Sequence, residues 1–297
     1  VLLAELVAAQ DGLLTRRQAL DAGLTDGALR HALRPAGPWR RLAPGVYVTV
    51  TGELTARQRV RAALLHAGPG GVLSGADACR AHGLRYVPAL EPPLVLVPHH
   101  VRAASNHLVT VRRLTTAPPS RCIDGLPVAP VERAVLDCAL AMHSLQDVRA
   151  LVCESVQRRR TTALRLADAL RSTRRNGSAL ARIAVLDVLE GCHSAPECEL
   201  RDLVRSSRVL PEPRWNRPLP GVPGLTPDGW WEEAHLVLEV DSTEHHAFGT
   251  APERTQRRAS RAVAAGWRVM PISPRRIRTD PASLLREIEA AYLAGLA

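Results

Sequence analysis

Leu2, Leu3, Leu6 and Val7 form an apolar stripe at helical spacing, which predicts a first helix. Thr15 is placed to cap a second helix over 16–22, and Gly23 to stop it. Thr25 can cap a third helix over 26–33, with Asp26 at its positive end. The run Trp39-Arg40-Arg41-Leu42-Ala43-Pro44-Gly45-Val46-Tyr47-Val48 then has a Pro-Gly centre between an Arg-rich and a Val-rich arm, which predicts a short hairpin. Three helices followed by a β-wing make a winged helix-turn-helix over residues 1–52. Its third helix would present Arg30, His31 and Arg34 to the major groove, and its wing would bring Arg40 and Arg41 to phosphates.

The pattern changes twice further on. Residues 53–145 alternate helix and strand signals: a helix over 55–66, one from Ser74 to His82 ended by Gly83, and apolar runs in LEPPLVLVP and HLVTVRRL. This middle domain carries no catalytic constellation. Residues 146–190 are helical and Arg-rich, and read as a linker. The last domain, 191–297, opens with Ser194 capping a helix that begins Ala195-Pro196-Glu197.

The chemistry concentrates in that last domain. Leu236–Val240 is an apolar strand, and a reversal at Glu233-Ala234 would pair residues whose numbers sum to 467, setting Asp228 opposite Glu239. Directly opposed side chains lie about 4.5–5.5 Å apart at Cβ. Glu239 and Asp241 share one face because strand side chains alternate. Three carboxylates so placed repel unless something neutralises them. Oxygen-only ligands favour Mg²⁺ or Mn²⁺. Glu197 can reach the same patch, and His245, just past the strand, can move a proton.

Composition narrows the partner. The chain of 297 residues carries a formal charge of +10, and all 39 of its Lys-or-Arg positions are Arg. Lysine-dependent catalysis is therefore excluded, and a polyanion is the expected ligand, here double-stranded DNA. Aromatics are 3% of residues and scattered, which argues against a stacking platform for single strands. No run approaches the ~20 apolar residues of a membrane span, and the opening Val1-Leu2-Leu3-Ala4-Glu5 lacks the basic region of a signal peptide. A cytoplasmic protein with no membrane partner is expected. Six dispersed cysteines form no CxxC pair and read as free thiols. Cys192-His193 with Cys198 is the one hint of a soft-metal site.

Two resemblances sharpen these expectations. The stretch LLTRRQALDAGLTDGALRHAL…WRRLAPGVYV resembles the N-terminal winged helix of AbiEi-type antitoxins of type IV toxin–antitoxin systems. That resemblance implies operator binding and autorepression, with a cognate toxin and a second copy of the chain as further partners. The C-terminal order is similar to the Vsr-like group of the PD-(D/E)xK nuclease superfamily. Its pattern is matched by Glu197, Asp228, Glu239, Asp241 and His245, then Arg254, Arg257 and Arg258, then Gly266-Trp267-Arg268-Val269. Ser242 stands where that group usually has Gly, and Ala259 where an Asp often follows Arg. The resemblance implies a restriction-endonuclease-like α/β/α domain in a multi-domain α+β protein. It also implies Mg²⁺-dependent phosphodiester hydrolysis, with Asp228, Glu239 and Asp241 as metal ligands. The alternative is an antitoxin or autorepressor whose nuclease-like domain is inactive.

Overall fold

A computed structural model describes residues 2–116, 119–241 and 251–297, with the side chains of 251–255 outside the description. It is a mixed α/β protein with three sheets. Its contacts divide the chain into two units, 1–143 with 158–181, and 144–157 with 182–297. The residues expected as a winged-helix domain and a middle domain therefore share one unit. The expected linker is divided between the two.

The first unit opens with α1 (Leu3–Ala9), β1 (Leu13–Thr15), α2 (Arg16–Asp21) and α3 (Asp26–Ala32). Thr15 and Gln18 form a reciprocal cap: Gln18 N donates to Thr15 Oγ1 at 3.2 Å, and Thr15 N donates to Gln18 Oε1 at 2.8 Å. Thr25 Oγ1 accepts from Ala28 N at 3.1 Å and starts α3. The wing is β2 (Arg40–Ala43) and β3 (Val46–Val48), turning on Pro44-Gly45, where Gly45 takes φ 74°. Antiparallel β1 adds to β3 and completes a three-stranded sheet in the order β1-β3-β2. Leu14, Ala19, Leu29 and Tyr47 are buried together beneath α1–α3.

In α4 (Ala56–Ala67), Ala62 packs against Leu13, Val46 and Val48 and carries the chain onward. Next come β4 (Val72–Ser74), α5 (Gly75–Ala81), β5 (Leu94–Pro98), β6 (Thr110–Leu114), β7 (Arg121–Ile123), β8 (Leu126–Val128) and α6 (Val131–Ala139). The five strands make one sheet in the order β6-β5-β4-β8-β7. Ser74 precedes α5 but does not cap it as expected. Its hydroxyl donates instead to Asp137 Oδ2 at 2.7 Å. The buried Asp137 carboxylate also takes Arg112 Nη1 at 2.5 Å and Arg133 Nε at 2.8 Å. A buried carboxylate is tolerable only with such partners. The chain leaves for α7 (Leu145–Gln157), part of the second unit, and returns for α8 (Ala163–Arg171).

The second unit resumes within α9 (Ala179–Leu189), from Arg182, and continues with α10 (Ala195–Arg205), β9 (Arg214–Trp215), β10 (Gly229–Trp231) and β11 (Leu236–Val240). It ends with α11 (Ala251–Ala264), β12 (Arg268–Ile272), α12 (Pro274–Thr279) and α13 (Pro281–Leu296). Its sheet runs β12-β11-β10-β9, with β12 parallel to β11 and the other pairs antiparallel. The period of two along β10 and β11 sorts the core into two layers. Trp231, Leu236 and Leu238 pack with Leu200 of α10, Ile277 of α12 and Leu284 of α13. Trp230 and Val237 pack on the other face with Ala262 and Trp267. The result is the expected α/β/α layering. Among the described residues, no helix is long and apolar enough to cross a membrane.

Candidate functional site

The acidic site is set by one hairpin. Residues 232–235 turn, and β10 and β11 pair as Gly229↔Leu238, Trp230↔Val237 and Trp231↔Leu236, each pair summing to the expected 467. Continuing that register sets Asp228 against Glu239. Gly229 is required here: a Cβ at this position would lie 2.8 Å from the Trp215 ring across β9. The Asp228 carboxylate turns back onto the hairpin and accepts from Val240 N at 2.7 Å.

Glu197 arrives from the first turn of α10. Glu197 N donates to Ser194 Oγ at 3.3 Å, and its carboxylate accepts from Ser194 Oγ at 2.8 Å and His193 N at 2.9 Å. Glu197 therefore closes the cap of its own helix, a structural duty the sequence also encodes. Asn216 links the Glu197 carboxylate to the Asp228 backbone. Its Nδ2 donates to Glu197 Oε2 at 3.3 Å and its backbone N donates to Asp228 O at 3.0 Å. Asn216 sits at φ 49°, a conformation Asn tolerates well. Sequence reasoning passed over it, and an Asn after a strand-ending Trp was its only signal.

Burial pushes the Asp228 carboxyl well above its ordinary range, with the charges of Glu197 and Glu239 adding to the push. Burial raises Glu239 as well, against the opposing pull of Arg258. Arg258 Nη2 sits 3.0 Å from Glu239 Oε1 and 2.7 Å from the Thr226 carbonyl. The structure thus commits Arg258, expected as a phosphate contact, to the acidic patch. Arg257 is exposed, and the Arg254 side chain lies outside the description. His245, with neighbouring Ser242 and His246, lies outside the described residues.

Asp241 follows β11, and its backbone N donates to Ile272 O at 2.8 Å. Among the described residues, no three carboxylates offer oxygens all within 4.8 Å of one another. The expected three-acid cage is thus not closed as the side chains stand. As donors, Asp228 and Glu239 still suit an oxygen-seeking cation, and their mutual repulsion is the strain such a cation relieves. To bind there it must displace Arg258 from Glu239.

Trp215, beside Gly229, also faces a groove that Glu197, Asp228 and Glu239 do not line. It lines this open groove, of about 630 Å³, with Arg201, Arg205, Arg214, Arg217 and Trp230. The Arg201 guanidinium lies over the Trp215 ring at 5.3 Å, and Arg214 lies over Trp230 at 5.1 Å. Trp267 is buried and packs with Trp230 and Val237.

In the first unit, Arg30, His31 and Arg34 are all exposed at or just beyond α3, and Arg40 and Arg41 are exposed on the wing. Arg30 Nε reaches the Asp26 carbonyl at 3.3 Å, Arg34 Nη1 meets His31 Nδ1 at 3.1 Å, and Arg40 Nη2 donates to Gly52 O at 2.8 Å.

No protein-family profile matches the chain. It is similar to two uncharacterised proteins of Mycobacterium tuberculosis: MT2308 of strain CDC 1551 / Oshkosh and Rv2248 of strain ATCC 25618 / H37Rv. Each is 27% identical over 210 residues, which is 68% of this chain and 72% of the relative. A crystal structure of the Rv2827c protein from Mycobacterium tuberculosis aligns with 71% of this chain and 86% of its own, at 18% identity and a TM-score of 0.44.

Proposed function

We propose that the protein is a cytoplasmic DNA-binding protein whose second unit hydrolyses phosphodiesters with Mg²⁺ or Mn²⁺. The observation that carries this reading is the β10–β11 register, which opposes Asp228 to Glu239 with Glu197 near enough to raise Asp228 further. The order around it also supports the nuclease resemblance: Glu197 on a helix, Asp228, Glu239 on a strand with Asp241 just past its end, an Arg-rich helix, Gly266-Trp267 and a last strand. Asp228 and Glu239 would hold the cation, with Asp241 beside them. When bound, the cation polarises the scissile phosphate and acidifies a water. Glu197 and Asn216 fix the Asp228 end of the site. Arg258, released from Glu239, is placed to meet phosphate charge, and His245 is the proposed proton acceptor. Exposed Arg30, His31, Arg34, Arg40 and Arg41 would grip the duplex, and six free cysteines suit a reducing compartment.

The test is plasmid nicking with Mg²⁺ or Mn²⁺, beside an Asp228→Ala/Glu239→Ala variant. Cleavage by the wild type that the variant loses supports the reading. No cleavage, or equal cleavage, overturns it.

One observation favours a second reading. The Arg258 guanidinium already neutralises Glu239, as it would in a site that never holds an ion. In that reading the protein is an AbiEi-like autorepressor or antitoxin, a homodimer with a cognate toxin, and its second unit serves protein contacts.

A further inference from the structure

A different set of side chains gathers inside the second unit. Asp187 of α9, Cys192 in the following loop and Cys198 of α10 offer one carboxylate oxygen and two sulfurs, all within 4.8 Å of one another. Each is nine-tenths or more buried. Cys153 of α7, 2% exposed, neighbours Cys198 but is not one of the three residues whose donor atoms all lie within 4.8 Å of one another. Tetrahedral zinc at about 2.3 Å from thiolate sulfur sets neighbouring sulfurs roughly 3.8 Å apart. The observed grouping needs little movement to reach that spacing. Asp187 Oδ2 accepts from Arg149 Nε at 2.8 Å, and Arg149 Nη2 meets Asp202 Oδ2 at 2.7 Å. A ligating carboxylate needs this kind of outer support. His193, which the sequence pairs with Cys192, is exposed, and Asp187 takes its place in the group.

We propose that Asp187, Cys192 and Cys198 form a buried structural site for a thiophilic divalent cation of the zinc class, with Cys153 moving in as a fourth ligand. The site is separate from the Asp228–Glu239 patch and stands whether or not that patch cleaves DNA. Its consequence is mechanical. The cation ties α7, α9 and α10 together and fixes the loop whose His193 N holds Glu197. A thiol ligates as its thiolate, so binding transfers the thiol protons to solvent as the metal–sulfur bonds form.

Titration of the full, reduced chain with Co²⁺ tests this. We expect one ion per chain, a near-ultraviolet thiolate-to-cobalt band, strong visible bands of a tetrahedral site, proton release, and displacement by Zn²⁺. Asp228→Ala/Glu239→Ala and Cys122→Ser, at an exposed thiol, keep that spectrum, whereas Cys192→Ser/Cys198→Ser loses it. Absence of the thiolate band in the folded wild type overturns the proposal. So does its persistence in the Cys192→Ser/Cys198→Ser variant.

Discussion

The Val240 amide donates to Asp228 Oδ2 at 2.7 Å, so the hairpin that opposes Asp228 to Glu239 also holds Asp228 in place. That single bond does not offset the burial and like charge around the carboxyl, whose folded value stays raised. A group raised on folding contributes stability that is fully present below its unfolded value and lost as pH rises through its folded value.

Asp228→Asn is therefore expected to stabilise the second unit at neutral and higher pH in chelator, with the gain shrinking toward acid. Each kcal/mol relieved moves the midpoint by about 2–4 °C in a protein of this size. Glu239→Gln is expected to act in the same direction but by less, because Arg258 offsets part of the burial that raises Glu239. Melting curves at several pH values read both. A destabilised Asp228→Asn at pH 8 would show that the carboxylate is not strained.

For α3, Arg30→Ala/Arg34→Ala is expected to weaken duplex binding and make its logarithmic salt dependence shallower by about 1–2, roughly the loss of two phosphate contacts. Fluorescence anisotropy across a salt series measures it. An unchanged slope would remove α3 as the contacting helix.

Asp137→Ala is expected to cost the first unit about 3–5 kcal/mol, since it leaves Ser74, Arg112 and Arg133 facing a gap at a 2%-exposed side chain. Urea denaturation is the measurement. A loss below about 1 kcal/mol would mean that water replaces the carboxylate there.

What the sequence made legible was local. Thr15, Thr25 and Ser194 cap the helices they were expected to cap, because a cap needs only a side chain and the amides two or three residues on. The β10–β11 register was legible because a tight turn pins it. Strand β1 was not: three residues are too few to show alternation, and its partner Val48 comes 35 positions after Leu13. Ser74 looked like a cap because the competing Asp137 lies 63 positions away. Charge sign alone could not assign Arg258 to Glu239 rather than to phosphate. Asp187 escaped notice because a helical acid looks solvated until folding sets it beside Cys192 and Cys198.

The path of the polypeptide has a practical outcome. Residues 144–157 belong to the second unit although first-unit sequence flanks them on both sides. A C-terminal fragment begun at 191 would leave behind Arg149, Cys153 and Asp187. During synthesis, α7 must wait for the last strand and helices to leave the ribosome before its own unit can close. No single stop codon or protease cut releases both units with all of their residues.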